Sequence, residues 1–383
     1  MTRQTGAYRT TTTLAEAVRA FVPAPLPPTD PPLVLEGDLA DRHEAALAAL
    51  GRLRVASVMV PDPGWFLYGF VRKEAVLSSQ IEGTQATLRD VANFEATNAT
   101  DRPDDVEEVC NYVDGLNFAR AQIASPNGLP LSIRLLCEVH GILMRGVRGE
   151  HKLPGEVRRS QNWIGGSRPG NARFVPPPPE EVAAGLAALE RWLHEDDALP
   201  PLVRAGLAHV QFETIHPFLD GNGRIGRMLI TLLVEHWRLL DQPLLYLSVA
   251  LKRRQQEYYG RLAAVRTDGD WEGWTAFFLD CVTEAAEGAV DVAGSLFRIV
   301  SADRSKLLSA AATTINAVRL LELLPSNPVV TLQRVIRLLG VTKPTAAKCI
   351  DDLVAAGVLR ETTGKQRDRV YVYQEYLGVL TGS

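Results

Sequence analysis

The chain has little cysteine: Cys110, Cys137, Cys281 and Cys349 stand far apart among 383 residues, in no Cys-x-x-Cys pair and in no Cys/His cluster. That spacing excludes a structural zinc site and a disulfide framework, and it reads as four ordinary buried thiols in a reducing compartment. Long apolar runs are also missing. No stretch approaches the roughly 18–20 residues that cross a bilayer, and the opening MTRQTGAYRTTTT lacks the charged start, apolar run and cleavage site of a secretory leader. The sequence therefore predicts a cytoplasmic protein with no membrane partner. An excess of one charge is absent as well: 41 Lys and Arg against 45 Asp and Glu give −4. The surface as a whole is no nucleic-acid magnet, although a local basic patch stays open.

What is present is a globular composition, 46% hydrophobic and 22% charged, over a length that suits two or three domains. Apolar residues recur at three- and four-residue spacing over 39–53, 71–91, 106–121, 132–144, 178–193, 202–214 and 225–237, which predicts a mainly α protein. The run PAPLPPTDPP over 23–32 is too rich in proline for a helix or a central strand and predicts an extended surface arm. Residues 155–179 set short β-friendly runs around a Gly/Pro/Asn centre, the pattern of a β-hairpin or flap beside the helices. After LPSNP at 324–328 the pattern becomes a helix over 330–339, a turn, a helix over 343–356 and a hairpin over 357–373. That order describes a winged helix-turn-helix.

Chemistry concentrates in HPFLDGNGRIGR, His216 to Arg227. It contains GNGRIG, formally a GxGxxG, but a dinucleotide fold needs a strand before that motif, and the upstream pattern is helical. The residues instead predict a loop entering a helix near Arg224. Gly221 and Gly223 let backbone amides approach a ligand, and the helix N-terminus adds oriented N–H groups and partial positive charge. Arg224 and Arg227, three apart, project to one side as a clamp for outer phosphates. Asp220 is a hard-oxygen ligand suited to Mg²⁺ shared with those phosphates, and His216 is a base for an incoming hydroxyl. His209, one further pair of turns back, reads as a core histidine.

This stretch resembles the Fic-domain signature HPFxDGNGRxxR at every fixed position. The resemblance implies a helical bundle with a flap that transfers AMP from ATP to a protein hydroxyl. It implies His216 as general base, Asp220 as the Mg²⁺ ligand, and Gly221, Asn222, Gly223, Ile225 and Gly226 along the nucleotide loop. Arg224 and Arg227 fall on the β- and γ-phosphates. The similarity extends to the helix before the flap, with Arg148-Gly149 and PGEVR at 154–158, and to the flap residues QNWIG at 161–165. Downstream, YLS at 246–248, Glu257-Tyr258-Tyr259 and GDW at 269–271 resemble the family's second helical half. One of Tyr258 and Tyr259 is expected beside the adenine. Flaps of the family register the target by main-chain pairing.

Upstream, SSQIEGT at 78–84 resembles the family's inhibitory motif, with Ser78, Glu82 and Gly83 in the [S/T]xxxE[G/N] positions. A glutamate paired to an arginine of the clamp would occupy the γ-phosphate position; by analogy the arginine is Arg227. In the C-terminal module, Lys343, Thr345 and Lys348 and the wing residues Lys365, Arg367 and Arg369 offer phosphate contacts to DNA, against Asp351, Asp352 and Asp368 nearby. The expected division is an N-terminal arm and helical region with the inhibitory motif (1–110), the catalytic domain (111–290), a helical linker (291–324) and the winged helix (325–383). The resulting reading is an adenylyltransferase that modifies Ser, Thr or Tyr of a protein target, itself included, under restraint by Glu82. The alternatives are a nucleotide-sensing transcriptional regulator, or AMP removal or phosphotransfer from the same site. Oligomeric state is left open by the sequence; the resemblance adds a homodimer as one option, since family members often pair through the helical body.

Overall fold

The computed structural model describes residues 3–58, 64–147, 149, 151–310 and 313–382; Arg148 lies outside them. An N-terminal antiparallel hairpin, β1 (Gly6–Thr13) and β2 (Glu16–Pro23), precedes five helices: α1 (Asp38–Val58), α2 (Gly64–Ile81), α3 (Leu88–Thr97), α4 (Pro103–Ala124) and α5 (Ile133–Leu143). After a long irregular segment come α6 (Pro179–His194), α7 (Pro201–Ile215), α8 (Asn222–His236), α9 (Ser248–Arg253), α10 (Gln255–Asp268) and the 39-residue α11 (Trp271–Ser309). The C-terminal unit runs α12 (Ile315–Leu323), β3 (Val329–Thr331), α13 (Leu332–Leu339), α14 (Lys343–Ala355), β4 (Arg360–Glu361), β5 (Val370–Val372) and α15 (Gln374–Thr381). Its three strands form one antiparallel sheet in the order β3-β5-β4. Among the described residues no helix is long and apolar enough to cross a membrane.

The mainly helical expectation holds, and the departures have local causes. The helix expected over 71–91 is two helices, because Gly83 adopts φ +102 and closes a turn in which Thr84 N–H returns to the Ser79 carbonyl. α3 then starts afresh on a reciprocal cap between Thr87 and Asp90. The expected flap hairpin over 155–179 is an irregular segment with one antiparallel bridge, Ile164 to Phe174. Gly165 and Gly166 both take positive φ, and the prolines at 176–179 donate no ladder bonds. The helix expected from residue 330 begins at Leu332, the preceding valines being taken into β3 beside β5. The 110/111 division falls inside α4, and α11 runs through the 290/291 division without a break. Both helices bury apolar residues on either side of those points, so neither boundary coincides with a break between elements.

The hairpin β1/β2 was not foreshadowed by the proline-rich run that follows it. Phe21 and Val18 are buried, the Phe21 amide donates to the Val175 carbonyl, and Glu16 accepts from the Gly170 amide. The hairpin thus lies against the irregular segment. The chain entering it is tied down by Arg3, which bonds Glu272 of α11 and the Pro31 and Pro32 carbonyls, so residues 23–32 are a fastened strap.

The C-terminal unit packs on the first helices. Tyr376 hydroxyl donates to the Trp65 carbonyl at the start of α2, Arg334 donates to the Glu95 carbonyl of α3, and Tyr373 hydroxyl donates to buried Asp303 of α11. Each is a side chain reaching a different element, so the unit is positioned by polar anchors as well as by its share of the common core.

Candidate functional site

α7 and α8 form an antiparallel pair in the centre of the molecule, and the loop between them carries the signature. α7 is buried from Leu202 to Ile215, which leaves its C-terminus at a fixed place. There the chain turns at His216, a non-glycine residue at φ 50, an uncommon conformation that needs support from its surroundings. The support is Arg158. Its guanidinium donates to the carbonyls of His216, Pro177 and Ser160, and its own amide donates to the Pro217 carbonyl. Burial holds that arginine's pKa down at about 10, still far above neutrality.

The rest of the loop is held by side chains of its own and of α5. Asn222 accepts from the Phe218 amide and donates to the Phe218 carbonyl, both at 2.8 Å. Its carboxamide therefore closes the loop, and what it offers a ligand is its backbone amide at the start of α8. His140 of α5 stacks on the Phe218 ring at 3.9 Å. It accepts the Gly155 amide on Nδ1 and donates from Nε2 to the Asp220 carbonyl. That pattern requires the neutral ring, in keeping with a pKa pushed down to about 4, mainly by burial. Neither Arg158 nor His140 was singled out from sequence: each acts through backbone groups 58 and 80 residues away.

His216 is neutral for a similar reason. Desolvation first, and the charge of Arg158 second, lower its pKa to about 4, so at neutral pH the imidazole is free to take a proton. Asp220 has a side chain 47% exposed; its Oδ1 accepts from the Gly221 amide and lies 3.5 Å from Arg224. Arg224 is buried and paired with Glu108 of α4 at 3.1 Å. Arg227 is also buried. Its Nε and Nη2 donate to the side-chain and main-chain oxygens of Ser78, and its Nη2 lies 2.6 Å from Glu82 Oε1.

The two tyrosines separate. Tyr258 is buried, its hydroxyl 2.8 Å from His209 Nε2, so both it and His209 belong to the core. Tyr259 is 46% exposed and is the member of the pair with a free face. Ile225 is fully buried under the loop. Gly226 lets α7 approach, since a Cβ there would lie 2.6 Å from Glu213 Oε1. Burial raises that glutamate's pKa to about 7.

The decisive position is Gly223. A Cβ on it would fall 2.1 Å from Glu82 Oε1. The carboxylate of the upstream motif therefore rests directly on the first turn of α8, where four amides lack intrahelical partners and the helix dipole is positive. Burial would raise the Glu82 pKa, but Arg227 more than offsets it and holds it below the usual value. Glu82 stays ionised. An anion carried by the chain itself thus occupies an anion site built from a glycine turn, a helix N-terminus and a buried arginine.

Comparison with known proteins accords with this geometry. Residues 40–121 match the model of the Fic/DOC family N-terminal region, and residues 130–234 match that of the Fic/DOC family. The chain carries a Fic/DOC N-terminal region and a Fic/DOC domain. Curated relatives of this Fic chain include the protein adenylyltransferase Fic of Drosophila erecta, 28% identical over 54% of the chain and 39% of the relative. That of Drosophila willistoni is 29% identical over 64% of the chain and 46% of the relative. The chain thus spans less than half the length of either. Among solved structures, a Fic family protein from Desulfovibrio desulfuricans G20 superposes over 90% of this chain and 98% of its own, with a TM-score of 0.56 at 23% identity. Fic-1 from C. elegans covers 68% of this chain and 74% of its own at 21% identity, TM-score 0.51. At these identities the two structures establish the fold alone.

Proposed function

We propose that this Fic chain is a protein adenylyltransferase whose resting state is restrained by Glu82. The observation that carries the reading is the seat of Glu82 on the first turn of α8, bonded to Arg227: the loop already coordinates an anion, with a neutral base at its opposite end. In the reaction, the target hydroxyl oxygen attacks the α-phosphorus of ATP and its proton passes to the His216 imidazole. The bond from α-phosphorus to the bridging oxygen breaks, and diphosphate leaves toward the arginines. Target class follows the hydroxyl nucleophile: Ser, Thr or Tyr.

The amides of Asn222, Gly223 and Arg224 would face the α- and β-phosphates, and Arg224, backed by Glu108, would keep its place by that pair. Arg227 would exchange Glu82 for the γ-phosphate. Half-exposed Asp220 fits Mg²⁺, which commonly takes one or two carboxylates plus phosphate oxygens; when bound, the ion would neutralise charge on the leaving diphosphate. Tyr259, exposed beside the clamp, is the tyrosine suited to border the base of the nucleotide. The helix-turn-helix and three-stranded sheet at the C-terminus support reading that unit as a winged helix.

The test is transfer from labelled ATP by wild type, Glu82→Gly and His216→Ala, with mass spectrometry of the labelled protein. An added AMP mass in Glu82→Gly that is absent in His216→Ala supports the reading. A phosphate mass, or loss of AMP from a pre-modified protein, would replace it by the corresponding alternative.

A further inference from the structure

A cleft of about 1400 Å³ opens away from the signature loop, between α3 and the C-terminal unit. One wall is a face of α3 carrying Arg89 and Asn93. The other is built from α13 through Arg337, α14 through Lys343 and Asp351, and the β4–β5 connection through Lys365, Arg367 and Arg369. Six cations face two carboxylates, Asp351 and Asp368.

Two of these cations sit where they weaken their own helices. Arg89 is the second residue of α3 and Lys343 the first of α14, at the positive ends of the two dipoles. Among the described residues neither has a salt bridge. Lys348, by contrast, pairs with Asp352 outside the cleft. Of the residues expected to contact DNA, Lys343, Lys365, Arg367 and Arg369 therefore line the cleft, and Thr345 and Lys348 do not. Neither placement favours its own helix, and both residues line the cleft, where an anion would offset that cost.

The second question is which polyanion. A recognition helix enters the major groove of a duplex, about 12 Å wide, only if its outer face is unobstructed. Here α3 stands opposite α14. A single strand needs no such clearance. It is also matched by the remaining lining: Tyr371 offers a ring for stacking, and Asn93, Gln333 and Gln366 offer carboxamides that both donate and accept. An acidic peptide would use the cations but not these groups.

We propose that the cleft between α3 and the C-terminal unit binds single-stranded nucleic acid. The inference is independent of the transferase reading, since none of these residues touches the signature loop. It is tested with the full chain by fluorescence anisotropy, using labelled single-stranded DNA and RNA of about 12 nucleotides, within the usual site size, and the matching DNA duplex, over graded salt. The expected result is that a single strand binds more tightly than the duplex, the DNA and RNA arms deciding the sugar. Arg89→Glu and Arg337→Glu, both exposed, should lower affinity without lowering the Tm, Arg89→Glu holding it at or above wild type because a carboxylate suits the start of α3, and each lost phosphate contact should flatten the log–log salt slope by about 0.7. Tyr371→Ser should weaken binding without changing that slope. Tighter duplex binding with Arg89→Glu silent would overturn the proposal, as would no binding at low salt, or displacement by polyglutamate as effective as by a strand of equal charge.

Discussion

Replacing Glu82 by glycine removes the anion from its seat and leaves the rest of the site in place. Arg227 has a side chain 2% exposed and Glu82 one 36% exposed, with 2.6 Å between nitrogen and oxygen. Breaking a fully buried pair from one side costs about 3–5 kcal/mol. The exposure of Glu82 brings this down to the range of a charge-assisted hydrogen bond, about 1.5–3 kcal/mol. At about 1.4 kcal/mol per factor of ten, a γ-phosphate that must displace Glu82 gains roughly 10- to 100-fold in access to Arg227 when it is gone. The assay is AMP incorporation from α-labelled ATP at an ATP concentration below saturation. Glu82→Gly should label 10 to 100 times faster than wild type by that conversion, and Glu82→Gln, which keeps the shape but loses the charge, should fall between. Without nucleotide, Glu82→Gly should melt below wild type, since Arg227 retains the oxygens of Ser78 but loses its counter-charge; ATP should then raise its Tm by more than it raises that of wild type. Equal labelling together with equal nucleotide-free Tm would refute the argument that this pair keeps the arginine from phosphate.

Three further outcomes are expected. His216→Ala should abolish labelling while isothermal titration still detects ATP, because the phosphate contacts lie on α8; in Glu82→Gly the acid limb of the rate profile should lie no higher than about 4, since burial and Arg158 hold His216 down and the Glu82 charge that opposes them is gone, and a limb near 6.5 would place the base elsewhere. Gly223→Ala puts a Cβ 2.1 Å from Glu82 Oε1, so it should lower the nucleotide-free Tm of wild type and do so far less in a Glu82→Gly background; additive losses in the double variant would show that the two do not share the space. His140 and His216, held at about 4, and His209, held at about 3, are neutral when folded and protonate near 6.5 when unfolded. Their stabilisation is complete above pH 6.5 and drains as pH falls toward 4. Glu213, raised to about 7, acts in the opposite sense: its contribution is full below about 4.5 and is lost as pH rises through 7. Burial also lowers His43 and His236 and raises Glu74 and Glu235, so five histidines stand against three carboxyls and thermal melts should show a lower Tm at pH 5 than at pH 7; an unchanged or higher value would count against the burial argument.

Helix positions and the chemical inventory of the site were legible because both depend on short-range pattern. The apolar spacing of 202–214 and 225–237 is helical on any reading, and α7 and α8 stand at Pro201–Ile215 and Asn222–His236. A glycine turn before a helix with arginines at 224 and 227 is an anion cradle whatever surrounds it. The upstream motif, too, was legible as residue types: a serine, a glutamate four later and a glycine.

What sequence could not decide is which groups meet. That Glu82 lies on Gly223 rather than in solvent depends on α2 reaching α8 across 145 residues, and on Gly83 turning the chain at that point. The split of Tyr258 from Tyr259, the bracing of the loop by Arg158 and His140, and the pairing of Arg224 with Glu108 are all long-range contacts of buried side chains with no spacing signature, whereas the pairing of Arg227 with Glu82 was expected only from the resemblance. The cleft is of the same kind, for its walls come from segments more than 200 residues apart. Local propensity and periodicity determine where helices form and what chemistry they carry. Burial and the charges it brings together, which set the pKa shifts and the ion pairs of the site, are properties of the packed chain, and only tertiary structure determines them.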